Sequence, residues 1–162
     1  MHSANILALD PVSPSTTFYV SSLAPAPQHA FLAKLDPGGA YLWATVFGGS
    51  LGDEAQAVAV DAAGNPYVAG LTTSIDFPTL NAFQSTTHSE PAGAHSSAFV
   101  SRFGADGQLV YSSYLGGSFD HTVTGIGVDA TGNAYVAGFT ASADFPTVEP
   151  LQATQGLSLI HI

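Results

Sequence analysis

Small and β-branched residues alternate at period two in "AVAVD" (Ala57–Asp61) and again in "GIGVD" (Gly125–Asp129), the pattern of a strand with two unlike faces. "PYVAGLT" (Pro66–Thr72) and "AYVAGFT" (Ala134–Thr140) are rich in Tyr, Val and Thr, which favour strands. "AFLAKL" (Ala30–Leu35) and "AFVSRF" (Ala98–Phe103) read the same way, as do "YLWATVF" (Tyr41–Phe47) and "LVYSSYL" (Leu109–Leu115). Turn chemistry separates them. In "DAAGN" and "DATGN", Asp61 and Asp129 can bond nearby backbone N–H groups, and Gly64 and Gly132 tolerate positive φ. "DPGG" (Asp36–Gly39) and "GADG" (Gly104–Gly107) predict a second hairpin turn. A 3.6-residue apolar period is hard to find anywhere, so the unit is two hairpins, or four antiparallel strands.

The unit is written twice. Ala30–Thr86 aligns without gaps onto Ala98–Thr154, a shift of 98 − 30 = 68, with roughly two fifths of the pairs identical. One four-stranded sheet cannot cover both its faces, so it must stack on others like itself, and the closed way to do so is a β-propeller. The expected fold is therefore all-β, a propeller fragment of four-stranded blades. The strand nearest the axis is crowded and should carry small side chains. Ala57, Ala59, Gly125 and Gly127 supply them, which places that strand innermost. In this phase the first blade spans 6–47, as a variant repeat with "LALDP" and "FYVSSL" as its inner strands and a connection over 24–29. The second spans 55–115 with a long 74–97 connection, and a partial third spans 123–154, about two and a half blades in all.

Composition narrows the function. Apolar residues are 46% and charged residues 9%, enough apolar content for a core and too little charge for a disordered acidic chain. Net charge is −10, with Lys34 and Arg102 the only basic residues besides histidine, which excludes nucleic acid and disfavours anionic membranes. The absence of Cys rules out disulfides, thiol catalysis and Cys-based zinc sites. No stretch has the length of a membrane helix, and the first residues do not read as a signal peptide. The final "LSLIHI" (residues 157–162) has no likeness to the earlier copy and reads as a translated sequencing-adapter scar, so the chain is expected to be a fragment of a longer protein.

The stretch "AFLAKLDPGG…YLWATVFGGS…AVAVDAAGNPYVAGLTTSIDFPT" and its second copy resemble the bacterial SBBP family of β-propeller repeats. The likeness covers nearly everything from Ala30 to Thr154; "VDxxGNxYVAG" alone is also similar to NHL-type propeller repeats. The resemblance implies a full propeller in a secreted or surface-attached protein and carries over no catalytic residue.

Several positions have both a chemical and an architectural reading. Asp61 and Asp129 suit a ligand near a central channel, but the turn around them already requires them. Asp76-Phe77-Pro78 and Asp144-Phe145-Pro146 read as clamps, with Pro fixing the backbone, Phe plugging the gap between blades and Asp bonding local backbone. Lys34 and Arg102 share one slot, 102 − 34 = 68, and are expected to pair with an Asp, either Asp61 or Asp129. The loops 48–54 and 116–122, with the 74–97 connection, are expected on one rim. They carry the candidate ligand-binding residues Asp53, Glu54, Asp120, His121, His88, Glu90 and His95. No EF-hand spacing or HExxH pattern exists, so no metal or cofactor is expected; Ca²⁺ is the one ion the oxygen-rich rim leaves open. His121 replaces Asp53 between copies, so no single chemistry repeats in every blade. Catalytic residues are not identified. The expected function is a non-enzymatic scaffold for protein or glycan binding. The alternatives are a fragment of a polysaccharide-acting propeller enzyme, with its catalytic residues outside this chain, and a plain spacer. Uncovered blade faces are expected to make the chain self-associate.

Overall fold

The computed structural model describes residues 27–88 and 94–152. The expected inner strands of the first blade, Glu90 and the 157–162 segment lie outside the described residues. Eight strands follow in order: β1 (Ala30–Leu35), β2 (Tyr41–Phe47), β3 (Asp53–Val60), β4 (Pro66–Thr72), β5 (Ser97–Phe103), β6 (Leu109–Leu115), β7 (His121–Val128) and β8 (Ala134–Thr140). No helix occurs among the described residues. Every pairing is antiparallel, in three sheets: β1-β2, β3-β4-β5-β6 and β7-β8. The fold is that of an all-β propeller fragment.

The hairpins close as the turn residues dictate. Asp61 Oδ1 accepts from the N–H groups of Ala63 and Asn65, both at 2.9 Å, and Gly64 takes φ +84°. Asp129 repeats this with Thr131 and Asn133, and Gly132 takes φ +89°. A bulge interrupts the pairing at Gln56 and again at Thr124, its counterpart 68 residues on. Gln56 uses its side chain to bridge sheets, accepting from the Val123 N–H at 3.2 Å.

The middle sheet is covered on both faces, so β4 and β5 are buried almost throughout. Toward β1-β2, a core of Val68, Phe77, Phe99, Phe103 and Tyr114 meets Phe47 of β2, whose ring lies 5.9 Å from Phe99 and 5.2 Å from Phe103. Toward β7-β8, Ala69 and Ala98 pack with Val123, Ile126 and Val136. Successive residues of β4 thus serve opposite neighbours, as period two requires. Burying each large side chain of the aromatic core contributes about 1.5–3 kcal/mol.

Two features go beyond the sequence reading. First, on the strand taken as innermost, a Cβ at Gly125 or Gly127 meets no atom within 4 Å among the described residues. Crowding there needs further sheets converging on the same centre. Glycine is sterically required on the paired strand instead, where a Cβ at Gly70 or Gly138 would collide with the carbonyl oxygen of Glu54 or Thr122 beside the bulge. Second, the 74–97 connection does not stay on the rim. Its Leu80–Gln84 stretch runs along the outer edge of β6. Leu80 exchanges two backbone hydrogen bonds with Ser112, and the Gln84 carbonyl accepts from Tyr114 N–H at 3.1 Å. The Gln84 side chain also bonds both the N–H and the carbonyl of Gly116. This covering protects an edge otherwise open to pairing with another chain.

Candidate ligand-facing rim

The loop between β2 and β3 presents four successive N–H groups, from Gly49 to Gly52. Such a run of amides is a ready anion cradle. Here the protein fills it. Gly49 N–H donates to Asp53 Oδ2 at 2.8 Å and Ser50 N–H to Asp76 Oδ1 at 2.7 Å. Leu51 N–H donates to Ser74 Oγ at 2.9 Å and Gly52 N–H to Thr73 Oγ1 at 3.0 Å. The Ser50 hydroxyl adds a second bond to Asp76. The later loop repeats the design: Ser118 bonds Asp144 through both N–H and hydroxyl, and Phe119 N–H donates to Ser142 Oγ at 2.7 Å. The Asp of each Asp-Phe-Pro motif therefore ties the preceding loop down across 26 residues. These bonds hold the Asp76 and Asp144 carboxyls below the usual carboxylate range, chiefly through Ser50 and Ser118.

The motif's other residues complete the clamp. The Phe77 ring lies 4.5 Å from Phe99, and its N–H donates to Tyr114 Oη at 3.0 Å. Tyr114 Oη in turn donates to the Ser74 carbonyl at 2.7 Å, and burial pushes its phenol pKa up. Phe145 takes the corresponding place but is less deeply buried than Phe77, 5.8 Å from the His121 ring. Pro78 and Pro146 follow each ring and lead the chain away from the strand end.

Asp53 and His121, expected among the ligand-facing residues, are both 3% exposed and lie beneath the loops. Asp53 accepts from the hydroxyls of Thr72 and Ser74 as well as from Gly49 N–H, and His29 Nδ1 is 3.5 Å from its Oδ2. His121 does the same work with different atoms. Gly117 N–H donates to its Nε2 at 3.0 Å, so Nδ1 carries the proton and donates to the Ser96 carbonyl at 3.0 Å. The slot demands a buried acceptor facing an amide, and both residue types provide one. Its partners Thr72, Ser74 and Ser142 escaped the sequence reading; their recurrence in "TTS" and "TAS" was the available signal.

Of the other described rim candidates, Glu54, His88 and Asp120 are exposed and His95 is half-buried. Asp120 has a side-chain exposure of 65% and accepts from Ser96 N–H and hydroxyl, at 2.9 and 3.2 Å. Those bonds, Ser96 N–H first and then His95, depress its pKa. His95 Nδ1 lies 3.3 Å from Asp120 Oδ2, and the His95 ring packs 5.2 Å from Phe119. His88 is exposed near Asp144, where its charge adds to the lowering of that carboxyl. Glu54 lines a shallow groove of about 210 Å³ with Gln28, Thr73 and Ser96. Among the described residues no group of three or more His, Asp or Glu is placed to hold a metal ion.

Arg102 and Lys34 lie toward the opposite end. Arg102 Nη2 is 3.7 Å from Asp61 Oδ2, and its guanidinium sits 5.3 Å over the Tyr67 ring. Its buried Nε has no hydrogen-bond partner among the described residues. The Asp61 carboxyl is lowered mainly by Asn65, with Arg102 the smallest contribution, so the turn explains this Asp before the ion pair does. Lys34 Nζ and Trp43 Nε1 both donate to the Ala105 carbonyl, at 3.3 and 2.9 Å.

No curated protein matches the chain. The family model described as SBBP, Beta-propeller repeat, matches residues 110–146. That span runs from β6 through the clamped loop, β7 and β8 to the second Asp-Phe-Pro, and subtracting 68 places its counterpart over 42–78. Residues 110–146 thus carry the SBBP beta-propeller repeat that the duplicated pattern resembles.

Proposed function

We propose that this chain is a non-catalytic propeller repeat module of a secreted or cell-surface bacterial protein, holding a protein or glycan partner on its loop-bearing end. The observation that supports this most is Phe119, 52% exposed on a loop fixed by Asp144 and Ser142, with His95 and Asp120 beside it. An exposed aromatic ring next to polar hydrogen-bonding groups suits stacking on a sugar face or anchoring a protein contact. The rim carboxylates Asp53, Asp76 and Asp144 are engaged with the protein's own backbone and hydroxyls, which favours binding over acid-base work.

A glycan array, with a pull-down from culture supernatant, tests the reading. The expected result is binding without turnover, weakened at least tenfold by Phe119→Ala while the melting temperature stays put. Cleavage of a polysaccharide, lost on changing Glu54 or Asp120, would support the enzyme alternative instead. Binding to nothing would leave a spacer.

A further inference from the structure

The permanent charges of this molecule are sorted by end. Lys34 and Arg102, its only Lys and Arg, lie at the turn end, where Lys34 reaches the Ala105 carbonyl and Arg102 meets Asp61. The loop-bearing rim holds Glu54, Asp76, Asp120 and Asp144, all exposed. Its basic groups among the described residues are histidines alone. Hydrogen bonds from Ser50, Ser96 and Ser118 hold Asp76, Asp120 and Asp144 in the ionised form.

One aromatic ring stands in this field. Phe119 is 52% exposed, with Asp120 next to it in the chain and the His95 ring 5.2 Å away. A covered neighbour does not by itself hide this position. Its counterpart in the earlier loop, Leu51, is 39% exposed although the sheet that follows that loop is packed on both faces. Ser96 bonds Asp120 through its N–H and hydroxyl, and Ser96 also lines the groove of about 210 Å³ that holds Gln28, Thr73 and Glu54. Ser96 therefore links the Phe119 platform to the Glu54 groove.

We propose that the rim takes a cationic glycan, a polymer of amino sugars with free ammonium groups, stacked on Phe119 and neutralised by Asp120 and Glu54. This rests on the binding role proposed above and names the charge of the ligand. The face of an aromatic ring attracts both a cation and the C–H face of a sugar, and flanking carboxylates add Coulomb attraction. The same field repels acidic polysaccharides. A single ring among carboxylates suits a glycan better than a folded protein, because the centre of a protein interface is depleted in charge.

Calorimetric titration of the full chain with a glucosamine hexamer, its N-acetylated form and a lysine hexamer tests this at neutral pH. The free-amine hexamer is expected to bind about tenfold more tightly than the N-acetylated one, and more weakly as salt rises from about 20 to about 300 mM. Phe119→Leu, which copies Leu51 of the earlier loop, should weaken it about tenfold, and Glu54→Gln about threefold, each with melting unchanged. Equal binding of the two sugar hexamers overturns the charge assignment and leaves the binding role standing. Lysine hexamer bound as tightly as the glucosamine hexamer, with Phe119→Leu without effect, overturns it as well, since attraction is then general to polycations. No binding of any hexamer also overturns it, while the binding role itself falls only if the glycan array and pull-down are empty too.

Discussion

Phe77 and Phe145 occupy the same place in the same Asp-Phe-Pro motif, yet one is 3% exposed and the other only partly covered. Tyr67 and Tyr135 differ more, at 1% and 63%. The local backbone is repeated, down to positive φ at Asn81 and Glu149, so the motif does not set burial. The neighbouring sheet does. Phe77 has Phe47 of β2 on one side and Phe99 and Tyr114 on the other; among the described residues Phe145 has β5 and β6 of the middle sheet and no strands of that kind beyond β8. A repeat unit of this type specifies sheets and turns by itself, but its aromatic residues stabilise only what is stacked against them.

Truncation should separate the two regions most clearly. Phe77→Ala is expected to cost about 3–5 kcal/mol and Phe145→Ala under about 1.5, read from denaturant midpoints at unchanged slope. Equal losses would mean that both junctions are equally packed. The buried acceptor slot comes next. Asp53→Ala strips partners from Gly49 N–H and two hydroxyls and should cost about 2–4 kcal/mol. His121→Asp, which copies the earlier loop, should stay within about 1.5 kcal/mol in the same measurement, because Gly117 N–H keeps an acceptor.

The smallest effect expected is that of acid. Asp76, Asp120 and Asp144 have folded pKa values below their ordinary one, so each contributes stability that is complete above pH about 4. That contribution is lost as pH falls through the lower folded values. A melting series from pH 7 should stay flat to about pH 4 and then decline, and Asp76→Asn should flatten part of the decline. A decline that began well above pH 4 would contradict this assignment to the three carboxylates.

The sequence reading was most complete where the physics is local. "DxxGN" contains both partners of its own turn, so Asp61, Gly64, Asp129 and Gly132 were legible within five residues. Strand order within one repeat was legible from the period-two pattern. The loop clamp was read as local bonding, whereas Asp76 reaches Ser50, a contact no short window contains. The lacing of Leu80–Gln84 along β6 was missed for the same reason. Asp53 and His121 were misplaced on the surface because polar loop residues usually face water. Their burial depends on amides and hydroxyls arriving from two other segments.

Face-to-face stacking of successive sheets is the claim on which the rest depends, and a double-mutant cycle across one junction tests it most directly. Phe47 belongs to β2 and Phe99 to β5, with ring centroids 5.9 Å apart in edge geometry. The account predicts a coupling of about 0.5–1.5 kcal/mol between Phe47→Ala and Phe99→Ala. Strict additivity of the two losses would contradict it, since the sheets would then not share a core.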